Sequence, residues 1–122
     1  MQLKVGVDAV EIERIERELD NEAFWDRVHV PNERPYYESR RQKAQSLAAA
    51  FAAKEAFTKA LGTGLRGFSL REVEVLHDGL GAPHYAFSGK AAEKVAELGL
   101  SFELSLTHTG TTAVAVAVAV GE

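Results

Sequence analysis

Residues 113 to 120 read AVAVAVAV, apolar on both faces of an extended segment. A strand with one face in water alternates apolar with polar positions, so both faces here call for cover. A helix of the same chain covers one. A second copy of the chain is the expected cover for the other, which predicts a homo-oligomer. Residues 101 to 107 predict the neighbouring strand, joined to it through His108, Thr109, Gly110 and Thr111. Near the start, residues 3 to 7 predict a short buried strand, followed at once by Asp8. Ile12, Ile15 and Leu19 then recur at helical spacing and predict an amphipathic helix over residues 10–20, with Arg14 and Arg17 one turn apart on its exposed side. Residues 23 to 30 are ambiguous and include a short helical turn. Residues 31 to 35 form a loop broken by two prolines and an asparagine. A long helix starts at residue 36 or 41 and runs to Leu61, rich in strong helix formers and stopped by Gly62. Residues 73–76 and 84–87 predict two strands, connected through Asp78-Gly79 and Gly81-Ala82-Pro83. Residues 91–98 predict a short helix between Ser88-Gly89 and Gly99. The fold class is α+β, in a single domain over residues 1–122.

Composition changes this picture little. The 122 residues, 46% hydrophobic, suffice for one ordinary core. A net charge of −4 argues against nucleic acid as a partner. No segment reaches the length of an apolar membrane span, and acidic residues from Asp8 onward argue against a signal peptide, so a cytoplasmic protein is expected. Without cysteine there is no disulfide framework and no thiolate zinc site. The four histidines lack metal-ligand spacing. Neither a Walker loop nor a dinucleotide fingerprint nor a G-x-S-x-G elbow is present.

The candidate chemistry lies in the long helix. On a 3.6-residue turn, Leu47, Ala50, Phe51, Phe57 and Leu61 share one broad face, Glu55 and Lys59 sit four apart on its flank, and Lys54 falls within the stripe. A surface ion pair and a snorkelling lysine account for these charges structurally. Asp8 at the end of a strand, the glycine turn Gly62-Thr63-Gly64 and the hydroxyl-rich Ser105-Leu106-Thr107-His108-Thr109-Gly110 favour a site instead. Two carboxylates, lysines, a glycine turn and hydroxyls suit Mg²⁺ with phosphate.

Three blocks, VGVDAVEIERI (residues 5–15), FAAKEAFTKALGTG (51–64) and LSLTHTGTTAVAVAV (104–118), stand in the order and spacing of a known family. On these blocks the chain resembles the holo-[acyl-carrier-protein] synthase class of 4′-phosphopantetheinyl transferases over essentially its full length. The resemblance implies a long helix packed on a small antiparallel sheet and a trimer with active sites between subunits. It implies Mg²⁺-dependent transfer of phosphopantetheine from coenzyme A to a serine of an apo acyl-carrier protein or carrier domain, in support of fatty-acid biosynthesis. Adenosine 3′,5′-bisphosphate is the other product.

By position, the resemblance assigns Asp8 and Glu55 to the metal, and Glu55 and Lys59 to catalysis, with Glu55 as the expected base. It assigns Lys54, Lys59, Gly62, Thr63, Gly64, Pro83, Ser105, His108 and Thr109 to coenzyme A, with Gly81 beside Pro83. Arg14, with Arg17 added by spacing, would meet the acidic carrier protein. The family often has Gly-Arg immediately before F-A-A-K-E-A, where this chain has Ala49-Ala50. An arginine there would help neutralise a coenzyme A phosphate, so Lys43, Lys54, Arg40 and Arg41 become candidate substitutes. A carrier-binding module without catalysis and a small phosphohydrolase are the alternative readings.

Overall fold

A computed structural model describes residues 1–28, 32–62 and 67–122. Its central contact is built on small side chains. Ala113, Ala115, Ala117 and Ala119 alternate along β5 (Thr112–Gly121) and are fully buried. β5 is the middle strand of an antiparallel sheet, between β1 (Gln2–Glu11) and β4 (Leu100–His108). The long helix α4 (Lys43–Leu61) lies on this alanine face. Gly6 of β1 brings the backbones closer still. A Cβ there would stand 2.0 Å from the Ala56 carbonyl oxygen and 2.6 Å from the Ala60 nitrogen.

The sequence expectation of one broad apolar face on this helix is corrected. α4 is buried on nearly every side, and Glu55 and Lys59 are among its few residues that reach the surface. The sheet covers one side of it. The short helices α1 (Ile12–Glu16) and α3 (Arg34–Glu38) cover others, as does β2 (Val73–His77). β2 pairs with β3 (Pro83–Phe87) in a separate two-stranded sheet. Phe57 joins these layers, its ring packing against Phe68, Tyr85, Phe87 and Phe102.

Several boundaries shift for identifiable reasons. β1 continues through Asp8 to Glu11 because β5 pairs with it along its whole length, from Gln2↔Gly121 to Glu11↔Thr112. The ladder wins over helical spacing, and the first helix shrinks to α1. Asp8 therefore sits within a strand, not beyond its end. Helix α2 (Glu22–Val28) is started by Asn21, whose Oδ1 accepts the N–H groups of Ala23 and Phe24. Pro35 lies in the first turn of α3, a position where its missing N–H costs nothing. α5 (Gly89–Leu98) closes on Gly99 in the left-handed conformation, φ 64°.

The outer face of the three-stranded sheet is apolar along β1 and β5 and polar along β4, where Ser101, Glu103, Ser105 and Thr107 lie beside the β5 valines. Leu3, Val5 and Val7 pair with Val120, Val118 and Val116. In the single chain these three β1 residues are 68%, 58% and 54% exposed. The strand expected to be buried is thus covered on one face only.

Candidate active site

Asp8 stands opposite Ala115 on the inner face of the sheet, so its side chain faces α4. There the Lys59 ammonium donates to Asp8 Oδ1 at 2.8 Å. Only 15% of the Asp8 side chain stays exposed, against 56% of Lys59. Glu55 lies one turn earlier on α4, half-buried. Burial pushes its carboxyl above the usual value, and the negative charge of Asp8 pushes it further, against opposition from Lys59 and Arg14. The Asp8 hydrogen bond in turn raises the Lys59 ammonium above its ordinary value.

A raised carboxyl has a stability consequence. The folded chain binds the Glu55 proton more tightly than the unfolded chain does. Ionised Glu55 therefore costs stability above its folded pKa, and that cost vanishes as pH falls below the ordinary glutamate value. Glu55→Gln is expected to raise the thermal midpoint at pH 7 by about 1–4 °C. The gain should disappear in melts recorded at a pH below the ordinary value of 4.5. A variant no more stable than wild type at pH 7 would contradict this account.

Two carboxylates close enough for one to raise the proton affinity of the other form a donor set suited to a hard divalent cation. Among the described residues no group of three or more acidic, histidine or cysteine side chains assembles. Mg²⁺ fits such a pair, because it takes few protein oxygens and completes its shell with water and phosphate.

A cavity of about 370 Å³ opens beside Glu55. Its lining includes Arg14, Phe24, Arg27, Phe51 and Leu70. Arg14 lies over the Phe51 ring and Arg27 over the Phe24 ring, at 5.4 and 6.0 Å from the centroids. Aromatic floors with cationic rims suit an amphipathic, acidic partner. Sequence reasoning missed Phe24 and Arg27. Their i, i+3 spacing behind the Asn21 cap was the available signal. Arg17, the C-cap of α1, is exposed and lies outside this lining.

Other expected site residues are placed elsewhere. Lys54 is corrected outright: its side chain is fully buried and paired with Glu33, out of reach of a soluble ligand. Burial pulls its ammonium below the ordinary lysine value, against the opposing charge of Glu33. Gly62 takes the left-handed conformation at φ 77°, but its N–H donates back to Thr58 and Lys59 and closes the helix. Thr63 and Gly64 lie outside the described residues. Pro83 opens β3 opposite His77, in a different sheet from Asp8, and Gly81 turns ahead of it at φ 88°. Ser105 is exposed on the outer sheet face beside Val116.

His108 ends β4, and its Nε2 lies 3.0 Å from the Gln45 amide nitrogen in the first turn of α4, with Thr109 following it. Gln45 and Glu55 are ten residues apart on the helix, about 15 Å of rise. One chain therefore does not bring His108 to Glu55. Ala50, at a position where the family often has arginine, is 1% exposed. Arg40 is engaged over the Tyr36 ring at 4.3 Å.

Residues 4–118 match the family model described as the 4′-phosphopantetheinyl transferase superfamily. A holo-[acyl-carrier-protein] synthase of Trichlorobacter lovleyi is 49% identical over 114 residues, 90% of each chain. A holo-[acyl-carrier-protein] synthase crystal structure from Neisseria meningitidis superposes with a TM-score of 0.86 at 36% identity, covering 95% of this chain and 96% of that one. A coenzyme A complex of the enzyme from Chronobacterium ammoniagenes also gives 0.86, at 29% identity, covering 100% and 99%.

Proposed function

Because the chain belongs to the 4′-phosphopantetheinyl transferase superfamily, we propose that it moves the phosphopantetheine arm of coenzyme A onto a serine of an apo acyl-carrier protein or carrier domain. The observation that carries this reading is the cluster of Asp8, Glu55 and Lys59, of which Glu55 lines a cavity together with Arg14 and Arg27.

The reaction is an in-line displacement at phosphorus, in which positioning and electrostatics supply most of the catalysis. Glu55, half-buried beside Asp8 and Lys59, is the base that takes the proton of the attacking hydroxyl. The serine oxygen bonds to the phosphorus that carries pantetheine. The bridging P–O bond breaks, and its electron pair leaves on adenosine 3′,5′-bisphosphate. Lys59 turns from Asp8 to the phosphate oxygens and stabilises the charge that develops there. Mg²⁺ held by Asp8 and Glu55 would supply further positive charge at the pyrophosphate. Arg14 and Arg27, with Arg17 nearby in sequence, provide a local basic patch for an acidic carrier on a chain of net charge −4, so docking should weaken with salt. The product fits a place in fatty-acid biosynthesis.

The same reading includes a trimer with sites between subunits. On one chain the coenzyme A residues divide, with Glu55 and Lys59 toward one end of α4 and His108 and Thr109 at the other. The bare valine face, with Ser105 on it, is the surface through which copies would join and bring these halves together. Val5→Asp is expected to convert a trimer into monomer by light scattering and to lower transfer at least about 100-fold, since it sets charges in a desolvated interface. Fully active monomeric wild type would refute the shared site.

The activity itself is tested by chromatography of the nucleotide product. Adenosine 3′,5′-bisphosphate should appear only with coenzyme A, Mg²⁺ and apo carrier together. Release without carrier would indicate a hydrolase instead.

A further inference from the structure

Lys54 and Glu33 are, among the described residues, the deeply buried charges, at 0% and 1% exposure, and the chemistry above uses neither. All three ammonium protons of Lys54 are engaged. They go to Glu33 Oε1 at 2.9 Å, the Leu70 carbonyl at 3.1 Å and the Val73 carbonyl at 2.8 Å. Glu33 Oε2 accepts the Val75 N–H at 2.8 Å. Stability alone is a weak reason for such a pair, because well-packed apolar residues of similar volume often do as well or better. Apolar residues have no means of holding carbonyl groups in set positions.

The carbonyls held are informative. Leu70 and Val73 bracket the 3-10 turn Leu70–Glu72 that leads into β2. Ser69 and Leu70 form one wall of the cavity that contains Arg14 and Glu55. Arg71, in the same turn, donates to the Asp26 carbonyl of α2. The turn is therefore held from α4 and from α2. Lys54 and Glu55 are sequence neighbours, about 100° apart around the helix. One turn of α4 thus presents Glu55 to the cavity and grips the wall that faces it.

We propose that Lys54 and Glu33 are positioning residues: they fix the Leu70 wall relative to Glu55 and so set the fit of the carrier segment that delivers its serine. The kinetic consequence rests on the transfer reading above, whereas the structural consequence does not. Its named backbone partners, Leu70, Val73 and Val75, are none of the residues assigned to coenzyme A, so its loss should fall on the carrier.

Lys54→Met keeps most of the stem and removes the three donors. The double swap Glu33→Lys with Lys54→Glu restores an ion pair but aims a carboxylate at two carbonyls. Each variant is compared with wild type at a temperature where circular dichroism shows it folded. In Lys54→Met, amide exchange over residues 70–75 should quicken at least about tenfold while β5 amides keep wild-type rates. KM for apo carrier should rise about tenfold, with KM for coenzyme A within about twofold. The swap should restore neither. Unchanged exchange over residues 70–75, both KM values at wild type, or full rescue by the swap would each overturn the clamp. If Lys54→Met does not fold, Glu33→Gln, which weakens the grip, is measured instead and should shift the carrier KM about threefold in the same direction. If wild type transfers nothing, the transfer reading fails, and amide exchange still decides on the clamp.

Discussion

Asp8→Ala is expected to lower kcat/KM for carrier modification by at least about 1,000-fold while leaving the fold intact. Its carboxylate is the nearest partner of Lys59 and a source of the charge that raises Glu55. Without it, the site loses one of two candidate metal-holding carboxylates and the group that aims Lys59. Stability should change little. The Asp8–Lys59 pair is largely exposed on the lysine side, where solvent screens it. Removing Asp8 also relieves its repulsion of Glu55, which offsets part of that loss. Steady-state kinetics and a thermal melt on one preparation separate the two effects. An unfolded Asp8→Ala would make Asp8 structural and withdraw the metal assignment.

Gly6→Ala carries the largest expected effect on folding. The added methyl would meet the backbone at Ala56 and Ala60, neither of which is a flexible side-chain end. Helix α4 is buried against the sheet and has little room to retreat. The cost should be at least about 3 kcal/mol, a large share of a small domain's stability. The thermal midpoint should fall by about 10–20 °C, or the variant should fail to fold. Gly79→Ala is the control, since a Cβ there meets nothing within 4 Å. Equal midpoints for Gly6→Ala and wild type would show that α4 does not sit where its alanines place it.

The sequence and the structure agree most where the local pattern decides the outcome. The alternation at residues 113–120 announced a two-faced strand, and β5 has buried alanines within and valines without. Gly62 and Gly99 marked helix ends because both take the left-handed conformation there. The extent of β1 was not legible, since it depends on pairing with a strand a hundred residues away. Lys54 misled for a related reason. A lysine inside an apolar stripe reads as snorkelling or ligand-binding until the distant acceptors Glu33, Leu70 and Val73 are seen around it. Asp8, Glu55 and Lys59 were identified as a set from motif and spacing, and the fold places Lys59 on Asp8 across 51 residues. Phe24 and Arg27 escaped notice because their place in the cavity lining depends on where α2 packs, which no single segment encodes.

Group transfer to a protein serine leaves the carrier heavier. Intact-mass spectrometry of an apo acyl-carrier protein tests it most directly, after incubation with this chain, coenzyme A and Mg²⁺. Parallel reactions contain EDTA or the Asp8→Ala variant. The carrier should gain the mass of one phosphopantetheine arm with wild type and nothing in either control. An unmodified carrier in every reaction, with both free and synthase-embedded carrier domains offered to a folded oligomer, would contradict the transfer.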